Sequence, residues 1–179
     1  TGATLGLYGC GRIGQAVARR ARGFEMPVLY HQRRRLDSGL ERELNAAFVG
    51  FDDLLARSDI LSIHAPLTEE TRHRFALREF RAMKRTGYLI NTSRGPIVKE
   101  EDLVAALREP LLAGAGLDVY EREPALAAGL ETVESAVLAP HLGSATLATR
   151  TRMAHIAVDN VLGVLAGHRP PACVNPEVF

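Results

Sequence analysis

The sequence predicts an α/β protein with a doubly wound parallel sheet. Short apolar segments alternate along the chain with helical patterns, and no repeat or low-complexity tract interrupts them. Alternation of this kind is typical of a parallel sheet that is covered by helices on both faces. The chain has 179 residues. That length suffices for one domain with a substantial core and not for two ordinary ones, so we expect a single domain over 1–179.

Strands and helices can be assigned in order along the chain. The apolar segments predicted as strands are 4–8, 27–30, 59–64, 87–93, 113–120 and 135–140. The segments predicted as helices are 11–24, 51–58, 77–84, 99–109 and 145–167. In the first helix, Ile13, Val17 and Ala21 are predicted to share one face, and the last helix is predicted to stop at Gly167. Because ligands bind at the carboxyl ends of the strands in such sheets, we expect the motifs that follow strands to meet at one edge.

Composition narrows the class of protein. The chain is 46% hydrophobic and 24% charged, with a formal net charge of +1, which disfavours a nucleic-acid binder driven by bulk charge. No apolar run approaches membrane-spanning length, and the N-terminus shows no signal pattern, so we expect no membrane partner. Cys10 and Cys173 lack metal-ligand spacing, so no metal is expected. A disulfide between them is disfavoured, and the expected location is the reducing cytoplasm.

A glycine-rich turn follows the first predicted strand. Gly9, Gly11 and Gly14 form G-x-G-x-x-G between a strand and a helix. In a dinucleotide-binding domain of the Rossmann type, the first glycine allows the tight turn, the second lets the pyrophosphate approach, and the third lets helix and strand pack closely. The helix N-terminus would then face the phosphates, with Arg12 and Ile13 beside them. The alternatives are an ordinary tight turn and a solvated Arg12.

A basic cluster follows the second predicted strand, in "VLYHQRRRLD". An acid that holds the ribose of NAD is expected about 20 residues after the glycine turn, and none is present here. Arginine binds phosphate in a bidentate, charge-assisted way. We therefore predict that Arg33 and Arg34 clamp the 2′-phosphate of NADP(H), with NAD as the alternative cofactor. Arg35 is interpreted as solvated, and the competing interpretation of the cluster is a basic surface turn.

Several separated segments resemble one enzyme family. The segments "GYLINTSRGPIVKEEDLVAAL", "AGAGLDVYEREP", "HAPLTEETRH" and "LAPHLGSAT" are similar to the D-isomer-specific 2-hydroxyacid dehydrogenases, and most similar to the glyoxylate/hydroxypyruvate reductase (glycerate dehydrogenase) branch. The resemblance implies an NAD(P)-dependent oxidoreductase that reduces a small 2-oxo acid, such as glyoxylate or hydroxypyruvate, to a D-2-hydroxy acid. It also implies a twofold homodimer that pairs through coenzyme domains.

The resemblance assigns three catalytic residues. Arg94 in "NTSRG" matches the arginine that grips the substrate carboxylate and carbonyl, a task suited to a planar, permanently charged guanidinium. His141 in "PHLGSAT" matches the proton donor, and Glu123 in "EREP" matches the carboxylate that orients it. From the residues alone, the choice between Glu121 and Glu123 stays open, and Glu121 is interpreted as a solvated surface acid.

Further cofactor residues are predicted on the loops after later strands. Asp118 matches the family position near the nicotinamide carboxamide, although it also suits a turn-capping role. Thr92 and Ser93 suit a cofactor-facing loop and plain turn chemistry equally. His64 and Pro66 are predicted to shape the loop over the cofactor, and Gly143 is predicted to contact it. The remaining histidines are interpreted as ordinary surface or helix residues: His31, His73, His155 and His168.

The sequence departs from the family in its extent. Members place a substrate-binding domain before the glycine turn, and we expect this chain to carry the coenzyme domain without it. Turnover by these residues alone is therefore in question, because the other domain supplies one wall of the cleft and excludes water. The alternative function is a non-catalytic dinucleotide-binding and dimerisation module.

Overall fold

A seven-stranded sheet forms the centre of the first compact unit. The computed structural model describes residues 2–178, and the chain divides into the units Thr1–Pro140 and His141–Phe179. Within the described residues, the sheet contains β1 Leu5–Tyr8, β2 Val28–His31, β3 Ala46–Phe48, β4 Ile60–Ile63, β5 Tyr88–Asn91, β6 Gly114–Leu117 and β7 Ala136–Leu138.

Helices follow most of the strands. The described α-helices are α1 Arg12–Ala21, α2 Ser38–Leu44, α3 Phe51–Arg57, α4 Leu77–Ala82, α5 Glu100–Arg108 and α6 Leu147–Leu165. Short 3-10 helices cover Arg22–Phe24, Gly95–Ile97, Leu130–Thr132 and Pro176–Val178. The first five α-helices belong to the first unit, and α6 belongs to the second.

The strand order places a natural ligand crevice beside β1. The strands lie in the order β3-β2-β1-β4-β5-β6-β7, and every pairing is parallel. The chain winds outward from β1 through β2 to β3, then returns to the other side of β1 as β4. Loops on the two sides of this reversal diverge and leave a crevice at the carboxyl ends of the strands. The predicted fold class, a doubly wound parallel sheet, is confirmed.

Apolar side chains fill both faces of the sheet. Successive residues of a strand point to opposite faces. Leu7 accordingly packs in a cluster with α1 and α2, while its neighbour Tyr8 packs in the cluster that includes α3, α4 and α5. Both Leu54 of α3 and Leu103 of α5 are fully buried against this second face. The two clusters explain why the strands are apolar throughout.

Two elements were not predicted, namely α2 and β3, which are short and follow the arginine cluster. In α1 the buried residues are Gly14, Ala18 and Ala21, whereas Ile13 is 68% exposed. The face predicted to carry Ile13, Val17 and Ala21 is thus exposed at Ile13 and buried at Ala21.

The second unit is built around α6. The Thr146 hydroxyl accepts a hydrogen bond from the Thr149 N–H at 3.2 Å, which caps the start of the helix. Gly167 follows the end of α6 with a φ of +74°, a left-handed conformation in which glycine stops a helix without strain. The Asn160 side chain accepts from the Ala172 N–H at 2.9 Å and ties the following segment back to the helix. Of the helices in residues 2–178, none is long and apolar enough to cross a membrane.

Candidate functional site

A cavity of about 800 Å³ opens at the carboxyl ends of β1, β2 and β4. This is the crevice expected where the strand order reverses around β1. The cavity lies within the first unit, and the loops that line it also carry His31, Gln32 and Glu70. Its lining includes these predicted cofactor residues: Gly9, Gly11, Arg33, Arg34, His64 and Pro66.

The three glycines of the turn have different local reasons to lack a side chain. Gly9 has a φ of +93°, and a Cβ there would lie 2.7 Å from the Ala65 nitrogen. A Cβ on Gly14 would lie 2.5 Å from the Gly9 carbonyl oxygen, so this glycine lets α1 approach the turn. A Cβ on Gly11 would meet no protein atom within 4 Å. Gly11 therefore leaves space in the cavity itself, as a bound phosphate group requires.

The start of α1 presents backbone donors beside Gly11. Gly11 is the N-cap residue and has no side chain to satisfy the first N–H groups, which lack partners within any α-helix. Arg12 and Ile13 are exposed at this end of the helix. They do not line the cavity, so their predicted contact with a cofactor stays a prediction.

The arginine cluster divides into two cavity residues and one structural residue. Arg33 and Arg34 are exposed and line the cavity. Arg35 instead forms a bidentate pair with Glu41 of α2, at 2.9 and 2.8 Å. Arg35 is exposed, as its interpretation as a solvated residue expects, and its pair with Glu41 is an additional role. Hydrogen bonds from Arg35, and from the Tyr30 hydroxyl at 2.5 Å, lower the pKa of Glu41 to about 2.

Gln32 directly follows β2, in the region where an NAD-binding domain has its ribose acid. Its Oε1 accepts from the Cys10 N–H at 2.8 Å, and its Nε2 donates to the Arg34 carbonyl at 2.7 Å. One amide side chain thus connects the glycine turn to the arginine loop. The sequence indicated only that no acid follows the second strand, whereas the contacts show that Gln32 bridges the two loops. Burial raises the pKa of the Cys10 thiol to about 11, so this cysteine stays protonated at neutral pH.

His31 is part of the packed wall of the cavity and not an ordinary surface residue. Its Nδ1 donates to the Val49 carbonyl at 3.0 Å, and its ring stacks near Tyr8 and Phe48. The earlier interpretation failed because the stacking partners come from β1 and from β3, a strand that was not predicted.

The loop after β4 supplies the opposite wall. His64 Nε2 lies 2.9 Å from the Ser62 hydroxyl, and burial lowers the pKa of this histidine, so the imidazole is neutral at pH 7. The Pro66 carbonyl accepts from the Thr71 hydroxyl at 2.7 Å, which turns the loop back on itself. Glu70 also lines the cavity, and a hydrogen bond from the Thr68 hydroxyl lowers its pKa.

Asn91 organises the loop that carries Arg94. The Asn91 side chain is buried, accepts from the Ser93 N–H at 3.1 Å, and donates to the Arg94 carbonyl at 3.0 Å. The Ser93 hydroxyl donates to the Ala65 carbonyl, which joins this loop to the one after β4. Thr92 and Arg94 are exposed, and neither lines the cavity. Asn91 was missed because only the fold shows where its amide points.

The loop after β6 lies directly against the Arg94 loop. A Cβ on Gly95 would collide with the Tyr120 carbonyl group, so these two backbones are in contact. Asp118 is buried, and its N–H donates to the Asn91 carbonyl at 2.9 Å. Glu123 is exposed, and its Oε1 accepts from the Tyr120 N–H at 3.0 Å. The structure thus brings the loops of Arg94, Asp118 and Glu123 together at one edge.

The interpretation of Glu121 as a solvated surface acid is wrong, because its side chain is 20% exposed and pairs with His73. His73 Nε2 donates to Glu121 Oε1 at 2.7 Å, and Glu121 Oε2 accepts from the Glu100 N–H at 3.2 Å. Glu121 is therefore a half-buried residue with two partners. The contact between His73 and Glu121 joins residues 48 positions apart, so no local pattern could indicate it.

His141 and Gly143 belong to the second unit. His141 has a φ of +55°, a left-handed conformation that is uncommon for a residue with a side chain. The predicted roles of His141 as proton donor and of Gly143 as a cofactor residue stay predictions. Within residues 2–178, no group of three or more His, Cys, Asp or Glu side chains is arranged to hold a metal ion.

The parallel sheet, glycine turn and crevice define a dinucleotide-binding α/β domain. Residues 1–143 match the family model described as D-isomer specific 2-hydroxyacid dehydrogenase, NAD binding domain. The chain belongs to this family, as the quoted motifs predicted. A glyoxylate reductase of Thermococcus litoralis is 46% identical over 178 residues, which are 99% of this chain and 54% of that protein.

Solved structures agree with the family assignment. A crystal structure from Thermus thermophilus has a TM-score of 0.88 and 47% identity, over 96% of this chain and 53% of that one. The NADPH-dependent glyoxylate/hydroxypyruvate reductase of Sinorhizobium meliloti, in complex with NADP and malonate, has a TM-score of 0.84 and 36% identity, over 90% of this chain and 50% of that one. The chain therefore spans about half the length of these relatives.

Proposed function

We propose that this chain is the coenzyme domain of an NADPH-dependent reductase that converts a small 2-oxo acid of the glyoxylate or hydroxypyruvate type to a D-2-hydroxy acid. The observation that carries the proposal is the pairing of a cavity lined by Arg33 and Arg34 with an adjacent edge that bears Arg94 and Glu123. In this proposal, a separate substrate-binding domain closes the cleft over that edge.

The cavity fits the adenosine and phosphate end of NADPH. Gly11 and the start of α1 would hold the pyrophosphate, because the space beside Gly11 is open and the first helix N–H groups face it. Arg33 and Arg34 would bind the 2′-phosphate through charge-assisted hydrogen bonds. Gln32 presents an amide where a carboxylate would repel that phosphate. The relative from Sinorhizobium meliloti, whose structure holds NADP, supports the same preference.

The nicotinamide end would lie along the loops after β5 and β6. Thr92, Ser93 and Asp118 follow those strands at the same edge of the sheet. They are the residues proposed to contact the nicotinamide ribose and carboxamide, and Gly143 is a separate proposed cofactor residue in the second unit. His64 would border the centre of the dinucleotide, and its neutral imidazole adds no charge there.

Arg94 and His141 are the two residues proposed to act on the substrate. The Arg94 guanidinium holds the carboxylate of the 2-oxo acid and polarises its carbonyl. When bound, the reduced nicotinamide supplies a hydride to the carbonyl carbon. Protonated His141 gives its proton to the carbonyl oxygen and becomes neutral, so a 2-oxo acid becomes a 2-hydroxy acid. The family resemblance gives Glu123 the role of orienting the imidazole.

The proposal is tested with the full-length protein. We expect it to oxidise NADPH in the presence of glyoxylate or hydroxypyruvate, with a higher kcat/KM for NADPH than for NADH. His141→Ala should lower kcat by about 10²- to 10⁴-fold, the usual contribution of a positioned proton donor. His155→Ala, in α6 of the same unit, is the matched control and should keep wild-type turnover. NADPH binding without any 2-oxo acid reduction would support the non-catalytic module instead.

A further inference from the structure

One histidine connects the two loops that carry Arg94 and Glu123. The His73 N–H donates to the Pro96 carbonyl at 2.8 Å, and its Nε2 donates to Glu121 Oε1 at 2.7 Å. His73 has a φ of +49°, in the left-handed region that residues with a Cβ seldom occupy. Such a conformation persists only where the surroundings hold it, and it often marks a functional position.

A buried glutamate fixes the other side of this contact. Glu100, at the start of α5, is 2% exposed, and its Oε1 accepts from the Glu121 N–H while its N–H donates to Glu121 Oε2. Glu100 Oε2 also accepts from the Ala127 N–H at 3.2 Å. Glu121 therefore has its backbone held by Glu100 and its side chain held by both Glu100 and His73. We call His73, Glu100 and Glu121 the loop clasp.

The clasp lies next to the proposed catalytic positions without being part of the cavity. Arg94 is two residues from Pro96, and Glu123 is two residues from Glu121. Gly95 packs directly on Tyr120, so the side chains of the clasp add hydrogen bonds to a junction where the two backbones are already in contact. Further along, Phe75 pairs with Val98 as a parallel bridge, which extends the same junction. No clasp residue lines the cavity beside Arg33 and Arg34.

We propose that His73 is a positioning residue, which sets the spacing between the Arg94 loop and the Glu123 loop through its hydrogen bond to Glu121. The inference rests on the proposed function, because it assigns the two loops to substrate binding and to proton transfer. Its physical basis is that catalysis is sensitive to displacements on the order of 1 Å, which cost as much as about 10²-fold in rate. The cavity proposed to hold the adenosine and phosphate end of NADPH is formed by other loops, so most of the cofactor affinity should be insensitive to the clasp.

The test uses the full-length protein with His73→Ala, His73→Gln and the exposed neighbour Arg72→Ala as a matched control. His73→Ala should lower kcat for 2-oxo acid reduction by about 10- to 100-fold and leave the Kd for NADPH within about twofold. His73→Gln should recover most of the loss, because a glutamine amide can donate to Glu121 in place of the imidazole. Arg72→Ala should behave as wild type.

A readout without turnover separates this inference from the proposed function. Amide hydrogen exchange at Glu121 should be faster in His73→Ala than in wild type and close to wild type in His73→Gln. The inference is overturned if kcat is unchanged in His73→Ala, if NADPH binding falls in parallel with kcat, or if exchange at Glu121 is unaffected. If the wild-type protein reduces no 2-oxo acid, the proposed function fails, and the exchange data alone decide whether His73 holds the loops.

Discussion

The three glycines of the β1–α1 turn should respond differently to the same substitution. Alanine adds one methyl group at each position, and the structure gives that group different surroundings. At Gly9 and Gly14 it meets backbone atoms, and at Gly11 it meets open space in the cavity. Gly23 also faces open space and lies outside the cavity, so Gly23→Ala is the matched control.

The loss of stability should be largest for Gly9→Ala. Its φ of +93° lies in the region disfavoured for residues with a Cβ, at a cost of about 1–2 kcal/mol. The contact at 2.7 Å with the Ala65 nitrogen adds an overpacking cost of about 1–3 kcal/mol. In a domain of this size about 1 kcal/mol lowers Tm by roughly 2–4 °C, so a fall of roughly 4–20 °C is expected. Gly14→Ala should lose less, because alanine favours the helix by about 1 kcal/mol.

Gly11→Ala should fold normally and bind poorly. Gly11 has a φ of −74°, which alanine adopts readily, and no protein atom lies within 4 Å of the added methyl group. Alanine is a poorer N-cap residue, but it also restricts the unfolded chain by about 0.4–1 kcal/mol, so the two effects largely cancel. A methyl group where the pyrophosphate is proposed to lie costs about 1–3 kcal/mol, or about 5- to 150-fold in Kd.

The assay combines thermal unfolding without cofactor and NADPH titration of each full-length variant that folds. The expected pattern is a low Tm for Gly9→Ala, a normal Tm with a raised Kd for Gly11→Ala, and wild-type values for Gly23→Ala. The reasoning is refuted if Gly11→Ala binds NADPH as tightly as wild type, or if its Tm falls as far as that of Gly9→Ala.

The remaining predictions concern the arginine loop. Replacing both Arg33 and Arg34 by alanine should raise the Kd for NADPH by about 10- to 150-fold more than the Kd for NADH, since hydrogen bonds to a charged group contribute about 1.5–3 kcal/mol. Equal increases in the two Kd values would indicate that these arginines have only a general electrostatic role. Gln32→Glu should weaken NADPH binding and spare NADH, as competition titrations would show, because a carboxylate repels the 2′-phosphate. The lowered pKa of Glu41 means that its ion pair with Arg35 stabilises the fold above the ordinary glutamate pKa and loses that effect as the pH falls toward about 2. Glu41→Gln should therefore weaken the dependence of the unfolding free energy on pH in this acidic range. An unchanged pH dependence would contradict the stabilising role of the Glu41–Arg35 pair.

The fold and the glycine turn could be predicted because their causes are local. Gly9, Gly11 and Gly14 stand at positions that the turn itself dictates, and apolar runs between helical segments indicate a parallel sheet whatever the details of packing. The boundaries were less accurate. The segment predicted as a strand over 113–120 ends in the structure at Leu117, and the residues beyond it form the loop that carries Asp118. Strand propensity continues past the point where backbone pairing stops.

Features that depend on distant partners could not be predicted. The segment that forms α2 and β3 is polar and short, and its helix is capped by Asp37, which accepts from the Leu40 N–H at 2.9 Å. Because α2 was not predicted, Glu41 could not be recognised as the partner of Arg35. Arg35 could therefore not be distinguished from Arg33 by its sequence position. The role of Glu121 depends in the same way on His73, a residue from a different loop.

The edge of the sheet contains two groups of loops with different tasks, and one segment joins them. The loops after β1, β2 and β4 form the cavity, while those after β5 and β6 are held together by the clasp. Ala65, after β4, belongs to both groups: its nitrogen faces Gly9, and its carbonyl accepts from the Ser93 hydroxyl. Substitution of Arg33 and Arg34 should therefore leave Arg94 in place, whereas a shift of the backbone at Ala65 would disturb the glycine turn and the Arg94 loop together.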